Sequence, residues 1–403
     1  MRKFELDSIL KSMIDSYESI SDLVFAVGRP LQVESQGVLK PVRTQHNIQG
    51  LTPIQIERIA LKIISDDRRL LRELLQSGSC DCGYSLSDRV RFRVNIFRQR
   101  GNWAIVMRRL QMETPTLQSL NLPPIFLDMI QEKNGLILVT GATGSGKTTT
   151  LASILNEINI TRAVHIVTLE DPVEFIHKHK KATFNQRELG TDFDSYPNGL
   201  RAALRQAPKV ILVGEMRDRS TVEIALTAAE TGHLVLSTIH TVDAGQSISR
   251  ILGMFPREEE KQLRMRLAEM LRYVVSQRLA PRRDGGRILL MEIMGNNLRT
   301  KEAIALGEGE NRDFYDIIED SSTFGWTTFD QCIARAYNAG SISEETANLY
   351  ATRKGIVQRH IDQTKKQQGV SVETSTGLRL DGVSPQKESE ASASKPKRGL
   401  FGL

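Results

Sequence analysis

Leu136-Ile137-Leu138-Val139-Thr140-Gly141-Ala142-Thr143-Gly144-Ser145-Gly146-Lys147-Thr148 runs from an apolar segment through a glycine-rich turn into Thr149 to Glu157, which reads as a helix. The glycines permit a sharp turn that aims backbone N–H groups inward. Phosphate oxygens then meet these donors and the positive end of the following helix. Lys147 reaches the β- and γ-phosphates, and Thr148 offers a hydroxyl to magnesium, which takes octahedral oxygen coordination shared with phosphate and water. Strand, loop and helix fall where a P-loop requires them. Gly141, Ala142, Thr143, Gly144, Ser145, Gly146, Lys147, Thr148 and Thr149 are therefore read as the cradle of a nucleoside triphosphate and its Mg2+.

Further along the chain, apolar runs alternate with helical segments: His165 to Leu169, Val210 to Val213 and Leu234 to Thr238. Continuous apolar strands separated by helices predict a parallel sheet covered on both faces. Ligands of such sheets sit outside the carboxyl ends of the strands, so the residues just after each run carry the information. The first run leads into the P-loop, the second into Glu170-Asp171-Pro172-Val173-Glu174, the third into Gly214-Glu215-Met216-Arg217-Asp218 and the fourth into His240-Thr241. Phosphoryl transfer needs a metal, a positioned water and cations against the charge on the phosphate oxygens. Glu215, at a Walker-B-like strand end, is read as organising the metal through water. Glu174, or alternatively Glu170, is read as orienting or deprotonating the attacking water, and His233 and His240 as facing the γ-phosphate.

Upstream, Phe4 to Tyr17 has helical spacing, short strands follow at Ser21 to Val27, Leu31 to Val33 and Val38 to Val42, and Thr52-Pro53 caps a helix. Two strands run Arg91 to Phe97 and Trp103 to Met107, which makes residues 1–113 a small α+β domain. A linker with Pro115, Pro123 and Pro124 leads to the second domain, residues 114–362. Its part beyond Pro256 reads as largely helical, with a hairpin near Arg278 to Ile293. Residues 363–403 are rich in Ser, Lys, Glu, Gln and Gly and read as a disordered tail.

With 403 residues and 40% hydrophobic side chains, the chain fits two domains plus extensions. No apolar stretch approaches the roughly 20 residues that span a bilayer, and the N-terminus lacks a signal-peptide core, so a cytoplasmic location is expected. Cys80, Cys82 and Cys332 make neither a disulfide framework nor a zinc site. Of the net charge of +6, the stretch from Lys365 onward supplies +3, from seven Lys/Arg and four Asp/Glu. The rest is mildly basic, and no nucleic-acid partner is expected.

At these residues the chain resembles the PilT family, the retraction ATPases of type IV pili and twitching motility, within the secretion ATPase superfamily. The resemblance runs from about Ser21 to Gly355. Its landmarks are Arg91-Phe92-Arg93-Val94-Asn95, the P-loop, Leu169-Glu170-Asp171-Pro172-Val173-Glu174-Phe175, Val213-Gly214-Glu215-Met216-Arg217-Asp218, Ala228-Ala229-Glu230-Thr231-Gly232-His233 and Thr238-Ile239-His240-Thr241. The resemblance implies a PAS-like N-terminal domain, a RecA-like ATPase domain, ATP and Mg2+ bound between the domains, and a homohexamer. Such a ring would act on an inner-membrane platform protein, alone or beside a paralogous ATPase. It also gives the N-terminal arginines a role. A guanidinium is permanently charged and forked, and an arginine finger accelerates hydrolysis by roughly three to five orders of magnitude. By similarity Arg93 and Arg108 are the candidates, with Arg91 and Arg98 behind them.

The tetracysteine module and longer N-terminal region of assembly and type II secretion ATPases are missing, which favours the retraction branch. Yet the family's Ala-Ile-Arg-Asn-Leu-Ile-Arg-Glu signature is replaced by Lys301-Glu302-Ala303-Ile304-Ala305-Leu306-Gly307-Glu308. An accessory paralogue resembling PilU and a divergent PilT therefore both stay open. Phe324-Gly325-Trp326-Thr327-Thr328-Phe329-Asp330 matches the family again. The alternatives are a type IV secretion ATPase, which shares most motifs, and a RecA-like nucleic-acid translocase.

Overall fold

Two hydrophobic patterns build two sheets, which a computed structural model describes over residues 3–42, 49–87, 90–110, 113–309 and 313–367. The first pattern is alternation. In strands β1 (Ile20–Phe25), β2 (Gln32–Ser35), β3 (Val38–Pro41), β4 (Ser79–Ser87), β5 (Val90–Gln99) and β6 (Asn102–Arg109), inward side chains such as Phe92, Val94 and Ile96 are buried while their neighbours face outward. These strands pair antiparallel in the order β3-β2-β1-β6-β5-β4. Helices α1 (Lys3–Ile14), α2 (Pro53–Ile64) and α3 (Arg68–Ser77) give this sheet its core, with Leu6, Leu10, Ile56 and Leu74 fully buried beside Phe25 and Phe92. Burying side chains of this size contributes about 1.5–3 kcal/mol each. Thr52 and Gln55 form a capping box at the start of α2. Arg100 and Gly101, with φ of 50° and 77°, make the two-residue turn between β5 and β6.

The second pattern is the continuous apolar run. Strand β7 (Gly135–Gly141) is buried along its whole length, as are β10 (Val210–Val213) and β11 (Leu234–Ile239), and β8 (His165–Glu170) nearly so. They form a sheet with β9 (Thr183–Glu188), β12 (Leu271–Pro281) and β13 (Arg287–Met294) in the order β13-β12-β7-β11-β10-β8-β9. Every pairing is parallel except that of β12 with β13. Helices α4 (Ile125–Met129), α5 (Lys147–Thr161), α6 (Tyr196–Ala203), α7 (Arg219–Glu230), α8 (Ala244–Leu252) and α9 (Arg257–Met270) accompany this sheet. They are followed by α10 (Leu298–Leu306), α11 (Phe314–Asp320), α12 (Phe329–Asn338), α13 (Glu344–Tyr350) and α14 (Lys354–Gln367). None of the helices among the described residues is long and apolar enough to cross a membrane.

The mixed α/β fold expected from the runs is present, with three differences. The hairpin expected near Arg278 to Ile293 is present as β12 and β13, but it joins the sheet: β12 lies parallel to β7 and extends the sheet past the P-loop strand. β4, α3 and β9 are further elements outside the sequence reading; β9 carries a single apolar residue, Phe184, whereas β4 alternates Cys80, Cys82, Tyr84 and Leu86, and α3 sets Leu70 and Leu74 on one face. α14 continues to Gln367, five residues into the stretch expected as a tail from 363; the rest of that stretch, residues 368–403, lies outside the described residues.

Candidate active site between the two sheets

Strand β7 delivers the P-loop. At its end Gly141 has a φ of +139°, and a Cβ there would stand 2.5 Å from the Gln277 carbonyl and 2.6 Å from Ser145 Oγ, so only glycine fits. Gly146 begins α5 in the left-handed region with no side-chain cap. The first amides of the helix are thus left for an anion. Lys147 is buried; its Nζ donates to the carbonyls of Gly141 at 2.8 Å and Ala142 at 3.0 Å. Burial lowers its pKa, against which the nearby Glu215 works. The ammonium is folded back under its own loop, at the place where phosphate oxygens would take over from these carbonyls.

The neighbouring strands bring their acidic ends to the same edge. Glu170 closes β8 and is buried, accepting from Thr168 Oγ1 at 2.6 Å and Gln186 Nε2 at 3.0 Å. Burial pushes its carboxyl up, with those hydrogen bonds pulling the other way. Four residues on, Glu174 is exposed in the cleft. Glu215, two residues past β10, pairs through Oε1 with Arg217; its Oε2 is buried without a hydrogen-bond partner and lies 3.5 Å from His240 Nε2. Asp218 is spent on capping α7, donating nothing to the cleft: its carboxylate accepts from the Thr221 amide at 2.9 Å.

His233 is not brought here. It precedes β11 at the amino edge of the sheet, where its Nδ1 meets the Ala228 carbonyl at 2.9 Å and its own carbonyl accepts from Gly135 N–H. The six residues of β11 separate it from His240 by about 20 Å. The expectation that both histidines face one phosphate therefore fails within this chain.

The antiparallel sheet supplies cations from across the cleft. Register places Asp22, Arg108, Arg93 and Gly83 in one row over β1, β6, β5 and β4. Arg108 Nε donates to Asp22 Oδ1 at 2.9 Å; Asp22 is buried, whereas the Arg108 side chain is 70% exposed. Two arginines directly opposite on adjacent strands repel by roughly 0.2–1 kcal/mol, a cost that an anion between them would remove. Arg91, on the same face, turns to Glu188 at 2.7 Å and does not enter the cleft. Arg98 is exposed near the β5–β6 turn, opposite Trp103, and does not line the cleft either.

The outcome is one cleft of about 780 Å³, lined by Thr143, Gly144 and Gly146 to Thr149 of the P-loop segment, by Glu170, Glu174, Glu215 and His240, and by Arg93 and Arg108. A magnesium ion with nucleotide phosphates fits this donor set. Thr148 is an exposed hydroxyl at the helix start, and Glu215 holds a buried, unpartnered carboxylate oxygen, both oxygen ligands of the kind that ion takes. Sequence reasoning missed Asp22, Arg217, Gln186 and Glu188. Asp22 could have been found as a carboxylate set among Ile20, Leu23 and Phe25 in a short strand.

His177, beyond Glu174, is buried and stacked on Phe184 at 4.4 Å, and burial pushes its pKa down to about 4. Its folded pKa lies below the ordinary value of 6.5, so the stability it supports is complete above pH 6.5 and is lost as pH falls toward 4. The loss approaches about 3 kcal/mol at the acid end. Thermal melts from pH 7.5 to 5 should show a steeper acid decline for the wild type than for His177→Phe; parallel declines would count against a neutral buried imidazole.

A P-loop at the end of an inner strand of a mostly parallel sheet, flanked by acidic strand ends, defines a P-loop ATPase. The chain belongs to the Type II/IV secretion system protein family, whose pattern matches residues 38–380. It is 38% identical over 331 residues to the type IV pilus retraction ATPase PilT of Pseudomonas aeruginosa, covering 82% of this chain and 94% of that one. It is 35% identical over 348 residues to the type IV pilus ATPase PilU of the same organism, covering 86% and 88%. Among solved structures, it is similar to the pilus retraction motor PilT with bound ADP, with a TM-score of 0.79, 39% identity, and coverage of 88% of this chain and 98% of that one.

Proposed function

We propose that the protein is a cytoplasmic motor ATPase that hydrolyses ATP between its two sheets to withdraw type IV pilus fibres. The observation that carries this reading is the single cleft in which the P-loop, Glu174, Glu215 and the N-terminal arginines meet. Lys147 and the amides of residues 143–149 bind the phosphates. Thr148 and, through water, Glu215 hold Mg2+, which when bound neutralises charge on the phosphate oxygens. Glu174, exposed in the cleft, orients the attacking water; Glu170 is buried, with Oε1 accepting from Thr168 and Gln186, and supports the loop. Arg93 and Arg108 meet the charge that develops on the transferred group. His240 faces Glu215 and senses the state of the metal site.

Turnover moves the antiparallel sheet relative to the parallel one. In a homohexamer bound to a platform protein of the inner membrane, that motion would draw pilin subunits out of the fibre. The chain resembles PilT and PilU to similar degrees, so it serves as the principal motor or beside a paralogue. Deleting the gene and imaging labelled pili provides the test. Fibres should extend and persist, whereas withdrawal at wild-type frequency with a defect in protein export would favour the type IV secretion reading.

Lys147→Ala should weaken ATP binding by roughly 10- to 150-fold, the equivalent of about 1.5–3 kcal/mol for charge-assisted hydrogen bonds. Calorimetric titration with ATP and Mg2+ checks this. An unchanged affinity would remove Lys147 from the cradle.

A further inference from the structure

The loop that carries Glu174 is held on both sides by strand β9. Gln186 and Glu188 are two residues apart, so their side chains leave the strand on one face. Gln186 donates through Nε2 to the Phe175 carbonyl at 2.8 Å and accepts from the His177 amide at 2.8 Å. Glu188 accepts from the Val173 amide at 3.2 Å through Oε2. Glu174 thus sits between two backbone anchor points, one on each side.

The same Glu188 oxygen also receives Arg91 Nη2 at 2.7 Å from the antiparallel sheet. Both side chains are only 15% exposed, so water screens the pair weakly. Room for the guanidinium is left by Gly83 on β4, where a Cβ would stand 2.8 Å from Arg91 Nη2. A second arginine, Arg69 of α3, packs against Gly190 just beyond β9, where a Cβ would lie 2.7 Å from its guanidinium. Contacts from the first sheet therefore converge on β9 and its following turn.

We propose that Glu188 is a positioning residue for hydrolysis, and that the Arg91–Glu188 pair couples the placement of the antiparallel sheet to the placement of Glu174. When the sheets are together, Arg91 fixes the carboxylate that anchors Val173, and the adjacent Glu174 is aligned on the cleft. When they part, Glu188 loses its cation and the anchor loosens, so the carboxylate that orients water is aligned only in the closed arrangement. Arg91 accordingly differs from Arg93 and Arg108: it acts on the loop and never touches phosphate. This coupling rests on the assignment of Glu174 as the group that orients water.

The test measures kcat for phosphate release and Kd for ADP on the full-length chain with Arg91→Ala, Glu188→Ala and Glu188→Gln, each with and without Glu174→Gln. Misplacing a catalytic group by about 1 Å costs up to roughly 100-fold. Arg91→Ala and Glu188→Ala should each lower kcat by roughly 10- to 100-fold with Kd for ADP within about threefold, and Glu188→Gln, which keeps an acceptor for Val173, should lose less than Glu188→Ala. On top of Glu174→Gln, Arg91→Ala should change kcat by less than about threefold, because the group it positions is gone. Should Glu188→Ala not fold, Arg91→Ala carries the test from the other sheet. A wild-type kcat in Arg91→Ala, or a loss that multiplies with that of Glu174→Gln, overturns the coupling. A wild-type kcat in Glu174→Gln alone overturns instead the assignment on which it rests.

Discussion

Arg108→Ala is expected to lower kcat for ATP hydrolysis by about 1,000-fold, the lower end of what an arginine finger supplies, with ADP affinity changed by less than about threefold. The split follows from geometry. Arg108 extends from the antiparallel sheet with 70% of its side chain exposed toward the cleft, tethered through Nε to the buried Asp22. That tether leaves the terminal guanidinium nitrogens to face charge that grows on the transferred phosphoryl group. Arg108→Lys should restore little, since an ammonium cannot both donate to the Asp22 carboxylate and offer a fork to phosphate oxygens. The side chain contributes little to the core, but its loss leaves the buried Asp22 carboxylate without its donor, a cost of about 1–3 kcal/mol, so the assays are run where the variant is fully folded. Stopped-flow phosphate release and ADP titration on the same preparation check this. Equal losses in kcat and in affinity in the folded variant would assign Arg108 to structure.

How far the chain discloses this site depends on how each element hides or shows its period. β7, β8, β10 and β11 are buried on both faces, so they read as apolar runs, and the polar residues that follow them had to lie at one edge. Glu170, Glu174, Glu215 and His240 were legible for that reason. β9, an edge strand reading Thr-Phe-Asn-Gln-Arg-Glu, has one apolar side chain and resembles a loop. The clamp on Glu174 was therefore hidden. In β12, Arg272 and Arg278 break the run; their guanidiniums leave the sheet to reach Asn134 and the Tyr350 carbonyl, which no local pattern reveals. His233 and His240 flank β11, and a strand carries its two ends to opposite edges of the sheet, so only His240 reaches the cleft in this chain. Cross-sheet placement of Arg93 and Arg108 came from family resemblance, because the register that aligns them with Asp22 depends on pairings between distant strands.

Glu174→Gln is the second large effect, expected to reduce hydrolysis by roughly 100- to 10,000-fold while ATP still binds. Glutamine keeps size and hydrogen bonding but can neither take a proton nor hold the charge that orients water. Glu170 is a poor substitute, since it is buried and its Oε1 accepts from both Thr168 and Gln186. Local structure should survive, because the loop is anchored through Val173, Phe175 and His177 and not through the Glu174 side chain. The most direct measurement is single-turnover phosphate release by the purified full-length chain, with ATP binding titrated on the same sample. The wild type should release phosphate while Glu174→Gln binds ATP with similar affinity and retains it unhydrolysed; equal release rates from the two proteins would contradict a hydrolytic site centred on Glu174 in the cleft between the sheets.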